Sequence, residues 1–256
     1  MANPRLMIDG ALKAGAELAL DEAQARHVGT VLRLDAGDAL RVFNATDGEW
    51  RAQVAAKTKR GMSVRVVDFI RPARETPDLD LLFAPLKRHA TALIVEKTTK
   101  LGVRRMRPVL TQRTIAETVR IERLQTIARE AAEQTERFGA PEILEALPLA
   151  KAVDGWDAWR PLIYADEAGD DAGEPWGGET GRGRAIGEAF KDVAPPTKLA
   201  LLIGPEGGFT QEERRMLRGL PYVIPVSLGP RILRAETAVI AALSVIQSVW
   251  GDWRGP

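Results

Sequence analysis

Two apolar runs that stop abruptly at Gly-Pro place the tightest limit on how this chain can fold. The first is Leu201 to Phe209, LLIGPEGGF, and the second is Leu228 to Thr237, LGPRILRAET. Leu and Ile in unbroken succession suit a strand buried on both faces. Glycine after such a strand lets a ligand lie against the backbone, and proline stiffens the turn. The second loop feeds a small-residue apolar helix, expected from about Thr237 to Trp250. Glu206, Arg231, Arg234 and Glu236 bring charge to the strand ends. The pattern predicts two loops that converge on one pocket beyond the carboxyl ends of parallel strands.

The flanking sequence supports a parallel sheet in the larger part of the chain. Strands are expected at Leu79 to Ala84, Met106 to Leu110, Leu162 to Ala165, Leu199 to Ile203 and Tyr222 to Ser227, with helices at Lys87 to Leu101 and Ile121 to Phe138. Alternation of this kind indicates an α/β domain. Ahead of it, Arg5 to Ile8, Asp38 to Phe43, Glu49 to Ala55 and Ser63 to Ile70 alternate apolar with polar residues, as strands of a small β-barrel would. A short helix from Asp21 to Leu32, capped by Asp21, interrupts them. The expected organisation is therefore a barrel over 1–72, a linker over 73–78 rich in proline and charge, and the α/β domain over 79–256. Residues 166–196 carry Gly, Asp, Glu and Pro without periodicity and predict a mobile surface insertion.

Composition narrows the chemistry. Cysteine is absent, which excludes disulfides and thiolate-ligated metals, and only His27 and His89 offer imidazole, so no metal site is expected. The longest apolar run, Ala238 to Val249, contains Ser and Gln and is too short to span a bilayer, and no basic-then-apolar leader opens the chain. A cytoplasmic protein is expected. Net charge is only +1, but basic residues cluster at Lys87, Arg88, Lys97, Lys100, Arg104, Arg105 and Arg107, and again at Lys57, Lys59, Arg60, Arg65, Arg71 and Arg74. These runs are either an electrostatic footprint for RNA or ordinary solvated charge. The GPEGG loop lacks the Lys-Ser/Thr of a phosphate-binding loop and the dinucleotide fingerprint spacing, so it suits an adenine held by main-chain groups between the apolar walls Leu202, Ile203, Leu228 and Ile232.

LLIGPEGGFTQEE, LGPRILRAETAVIAAL, the basic helix KRHATALIVEKTTKLGV, the EAAEQTERFGAPEI segment and an N-terminal HVGTVLRLDAGD stretch occur in this order. Together they resemble the RsmE family of 16S ribosomal RNA methyltransferases, which are SPOUT-class enzymes. The resemblance spans nearly the whole chain. It implies methylation of uridine N3 in small-subunit rRNA with S-adenosylmethionine, a PUA-like RNA-binding barrel, a C-terminal trefoil knot, and a homodimer whose interface borders the cofactor site. The substrate would be small-subunit rRNA or the assembled small subunit. Two positions depart from the family pattern. Thr135 stands where Cys or Ser is common, and Thr30 stands where a basic residue is expected before VLR.

Cofactor contacts are expected from Leu202, Ile203, Gly204, Pro205, Glu206 and Gly207 in the first loop, and from Leu228, Gly229, Arg231, Ile232, Leu233, Thr237 and Ala238 in the second. Arg234 is placed to stabilise negative charge on the uracil oxygens and Glu236 to act as general base or to orient one. Bracing of the loop is the other role open to both. Glu206 is better suited to accept amide hydrogen bonds within its turn than to act on the ligand, and Thr237 is placed to cap the last helix. RNA contacts are expected from His27, Arg33, Lys87, Arg88, Gln134 and Arg137, against a purely structural role for His27 and a solvated helix face for Gln134 and Arg137. A noncatalytic ribosome-assembly protein and a SPOUT enzyme with another RNA target are the competing functions.

Overall fold

Strand pairing sorts the chain into two sheets. The computed structural model describes residues 3–58, 61–115, 118–166 and 183–254. They form two compact units, one of Met1–Glu75 with Arg129–Ala140 and the other of Thr76–Ala128 with Pro141–Pro256.

In the first unit, β1 (Arg5–Met7), β2 (Glu17–Ala19), β3 (Ala39–Asn44), β4 (Gly48–Thr58) and β5 (Gly61–Arg71) make a five-stranded sheet ordered β1-β3-β4-β5-β2. β1 joins β3 in parallel and the other pairs are antiparallel. The strand alternation turns Leu40, Val42, Ala52, Val54, Val64 and Val66 into one core. The expected helix after Asp21 forms as α1 (Glu22–Arg26), continued by a π-helical turn, His27–Val31. Asp21 and Gln24 form a reciprocal capping box at its start.

Glu49 is fully buried here. It is neutralised by Arg5 Nε at 2.8 Å, Arg71 Nε at 2.5 Å and Arg41 Nη1 at 3.2 Å. The Arg5 guanidinium lies 3.9 Å from the Phe43 ring centre and donates to the carbonyls of Ala132, Glu133 and Arg137. This ties residues 129–140 into the unit. The helix expected to reach Phe138 accordingly ends earlier, as α3 (Ile121–Glu133). Glu136 has φ 58°, a left-handed conformation that no α-helix accommodates. Phe138 is released to pack edge-on against Phe43.

The second unit holds a sheet whose strand pairs are all parallel. Its strands are β6 (Asp78–Phe83), β7 (Arg105–Leu110), β8 (Glu142–Ile143), β9 (Leu147–Pro148), β10 (Leu162–Ala165), β11 (Arg184–Ala185), β12 (Lys198–Ile203) and β13 (Val223–Ser227). The order is β11-β13-β10-β12-β6-β7-β8, with β9 also on β7. α2 (Arg88–Lys100), α4 (Leu149–Val153), α5 (Ile186–Ala189), α6 (Gln211–Arg218), α7 (Ala235–Val249) and a 3-10 turn, Asp252–Arg254, complete the described elements with α3. The central strands read as apolar runs because both faces are covered. In α7, buried Gln247 donates to the Leu101 carbonyl at 2.6 Å, satisfying the end of α2.

The expectation of a mobile surface insertion over 166–196 is corrected at its two ends. Residues 167–182 lie outside the described set. Asp166 is buried, β11 pairs with β13, and Ile186, Ala189 and Phe190 are buried, Phe190 stacking on Trp250. Ile186, Ala189 and Phe190 fall on one helical face, a pattern too brief to stand out beside so many glycines.

Candidate active site

β12 ends at Ile203, and the chain turns at once. At Gly204 an added Cβ would sit 2.6 Å from the Phe209 ring, so only glycine lets the loop fold back over that side chain. The Gly208 amide donates to the Pro205 carbonyl at 2.9 Å, and Gly208 has φ +68°. Phe209 meets Tyr164 edge-on at 5.1 Å. Thr210 then starts α6 with a capping box to Glu213.

A third loop, not anticipated from sequence, holds this turn from β7. Arg113 Nη1 donates to the Gly207 carbonyl at 2.8 Å, and the Gln112 amide donates to Glu213 Oε1 at 2.8 Å. The available signal was a polar Thr-Gln-Arg-Thr turn, Thr111 to Thr114, at the carboxyl end of a buried strand. Beneath the turn, Asp166 accepts from Arg214 Nε at 2.8 Å, Arg218 Nε at 2.7 Å and the Tyr164 hydroxyl at 2.9 Å. Burial and the adjacent Asp166 charge push the Tyr164 hydroxyl far above its ordinary range, so it remains a neutral donor.

The two Gly-Pro loops enclose a cavity of about 460 Å³. Ile203, Gly204, Pro205 and Glu206 line one side, Ile232, Leu233, Arg234 and Ala238 the other, and Lys87 and Ala165 also reach it. Eight of the residues expected at the cofactor or the reacting base therefore share one space. Leu202 points to the opposite sheet face and is fully buried among Leu82, Tyr164 and Leu217. Gly207 packs on Arg113. Leu228, Gly229, Arg231, Glu236 and Thr237 are not among the residues lining the cavity.

Two local expectations change. Arg234, not Thr237, holds the N-cap position of α7, and it makes no side-chain capping bond. Glu206 is exposed, and among the described residues its carboxylate accepts no amide hydrogen bond, because the turn closes through Gly208 and Arg113 instead. Glu236 lies in the first turn of α7, and its Oε2 is buried without a hydrogen-bond partner among the described residues.

Of the expected RNA contacts, Lys87 and Arg88 open α2 in the second unit. His27, Arg33, Gln134 and Arg137 belong to the first. His27 begins the π-helical turn, Arg33 is exposed with φ 56°, and Gln134 is exposed. Arg137 Nε donates to the nearby Gly139 carbonyl at 2.5 Å. Much of the basic runs is already paired: Lys97 and Lys100 with Glu96, Arg105 with Asp80, Lys57 with Asp35 and Arg65 with Glu17. Lys59 and Arg60 lie outside the described residues.

A model for an RNA methyltransferase domain matches residues 74–247, and a model for an RNA methyltransferase PUA domain matches residues 20–67. The parallel sheet, the cavity at its carboxyl end and these matches define an RNA methyltransferase. Ribosomal RNA small subunit methyltransferase E of Rickettsia conorii is 32% identical over 231 residues, 90% of this chain and 88% of its own length. The Synechocystis protein of the same name is 31% identical, covering 91% and 74%. A putative methyltransferase from Legionella pneumophila, solved with bound S-adenosylmethionine, aligns at a TM-score of 0.82 with 30% identity over 97% of this chain and 98% of its own. Ribosomal RNA small subunit methyltransferase E from Neisseria gonorrhoeae, bound to S-adenosylmethionine, aligns at 0.83 with 25% identity over 98% and 99%. The chain belongs to the ribosomal RNA small subunit methyltransferase E family.

Proposed function

We propose that the protein uses S-adenosylmethionine to methylate N3 of a uridine in 16S ribosomal RNA, as a cytoplasmic homodimer with a knotted C-terminal domain. The observation that carries this reading is the cavity between the two Gly-Pro loops. Its volume of about 460 Å³ lies in the range of small-molecule sites. Apolar Ile203, Ile232, Leu233 and Ala238 beside exposed loop backbone make a donor set suited to a nucleoside. These residues with Gly204 and Pro205 would hold the cofactor, which when bound supplies an electrophilic methyl group on a sulfonium.

The chain's own contribution is to the uracil. Neutral N3–H is a poor nucleophile until its proton is removed or shared, and its loss places negative charge on the ring oxygens. Arg234 supplies a cation at the cavity wall to stabilise that charge. Glu236, two residues on, does not line the cavity, and its buried carboxylate oxygen with no partner among the described residues suits it to orient a base.

Mass mapping of rRNA from cells lacking the protein tests the reading. Loss of one methyl group from a small-subunit uridine is expected, and loss from a transfer RNA instead would refute the target. Calorimetric titration with S-adenosylmethionine separates an enzyme from an assembly factor, since absence of binding would sink the enzymatic reading.

A further inference from the structure

A second cavity, of about 290 Å³, opens where α2 and α3 begin. We propose that it binds a backbone phosphate of the substrate RNA; the inference rests on the RNA-modifying function above. Lys87, Arg88, Arg120 and Arg123 line it, over an apolar floor that includes Leu86 and Leu124. None of these four cations makes an ion pair among the described residues, unlike Lys97, Lys100 and Arg105 of the same basic run. Arg123 Nη1 is buried with no hydrogen-bond partner among the described residues.

The placement of these charges runs against ordinary helix electrostatics. The start of a helix carries the positive end of its dipole and favours anions. α2 nevertheless begins with Lys87 at its N-cap and Arg88 next, with no acid in its first turn and no side-chain cap for its free amides. Arg120 immediately precedes α3, and Arg123 lies in its first turn beside Glu122. Each helix has thirteen residues, so the dipoles are substantial. Mutual repulsion, the start of α2 and a buried unpaired guanidinium nitrogen are all relieved by one oxyanion. The nearby polar side chain Thr91 is already occupied, its hydroxyl accepting from the Leu86 amide at 2.9 Å.

Lys87 also lines the cofactor cavity, so a phosphate held here borders the reaction space. A nucleic-acid backbone passing the site would be positioned by it without being read, with base selection left to other contacts. The phosphodiester is favoured over a free anion because Lys87 lines both this cavity and the neighbouring pocket, which must admit a nucleotide.

The test uses the full chain and a fluorescent small-subunit rRNA fragment, with affinity measured over a series of salt concentrations. Arg120→Gln combined with Arg123→Gln should lower the slope of log affinity against log salt by about one, the signature of one lost phosphate contact. S-adenosylmethionine affinity, measured by calorimetry, should stay within about twofold of the parent, less than a tenfold step of about 1.4 kcal/mol. Arg120→Gln alone, at an exposed position, covers the case in which the double variant fails to fold, and should lower the slope in the same direction. An unchanged slope in a folded variant overturns the phosphate site. So does tight binding of inorganic phosphate to the parent protein that the substitutions abolish while RNA binding is unaffected, since the occupant would then be a free anion. If the unsubstituted protein shows no salt-dependent RNA binding at all, the RNA-modifying reading itself fails, which is a separate result.

Discussion

Arg234 stands at the N-cap of α7, where Ser, Thr, Asp or Asn would satisfy the helix amides, and its side chain makes no capping bond. A position surrendered by the helix is explained by its place on the cavity wall. Arg234→Ala should reduce turnover at saturating RNA by about 10²- to 10³-fold, the usual cost of losing one donor to a developing oxyanion, with S-adenosylmethionine affinity nearly retained. Single-turnover kinetics would check this, and unchanged turnover would assign Arg234 to bracing the loop. Gly204 presents a steric constraint, since a Cβ would lie 2.6 Å from Phe209, which itself lines the cavity. Gly204→Ala should cost about 1–3 kcal/mol of stability through overpacking and should weaken cofactor binding as Phe209 is displaced. Denaturant unfolding and calorimetry measure the two effects.

At the scale of elements, the first loop is held by side chains drawn from the loop after β7, from β10 and from α6. Asp166 joins three of its supports, and both it and Arg214 are nearly inaccessible. Asp166→Asn leaves two guanidinium groups without a counter-charge and should destabilise the protein by about 3–5 kcal/mol, read as a lowered denaturant midpoint. At the end of α3, burial raises the Glu133 carboxyl above its ordinary 4.5, against the opposing hydrogen bond from the Met7 amide. A group that holds its proton more tightly when folded contributes stability at low pH that is lost as pH rises from 4.5 through its folded value. Glu133→Gln should therefore raise the melting temperature at neutral pH, where the parent buries a charge, and make little difference below 4.5. Thermal unfolding of both proteins across that range checks the sign. Element type was largely legible beforehand: β12, β10 and α7 follow from apolar runs and periodicity. α6 was not anticipated, although Thr210 and Glu213 spell a capping box, because a helix of eight mostly charged residues has little apolar stripe.

For the whole molecule, each unit has its own sheet and its own core; the PUA match, 20–67, lies within the first unit, whereas the methyltransferase match, 74–247, also takes in Arg129–Ala140 of that unit. No helix among the described residues is long and apolar enough to cross a membrane. The proposed homodimer predicts twice the mass of one chain by light scattering, at protein concentrations where activity is measured. A monomer at full activity would remove the partner subunit from the proposal.

The sequence by itself determined that LLIGPEGGF and LGPRILRAET are strand-to-loop transitions, because burial on both faces and the conformational demands of Gly and Pro are local properties. Eight of the residues it singled out line the cavity. Only the tertiary structure decided that Leu202 turns away from its neighbour Ile203, that Thr111 to Thr114 joins the site, and that Lys87 borders both cavities. Those outcomes depend on the strand order β13-β10-β12-β6-β7 and on which charges meet across it. Periodicity along a chain reports which face of an element is buried, whereas the partners of a side chain in a shared cavity are fixed by non-local pairing.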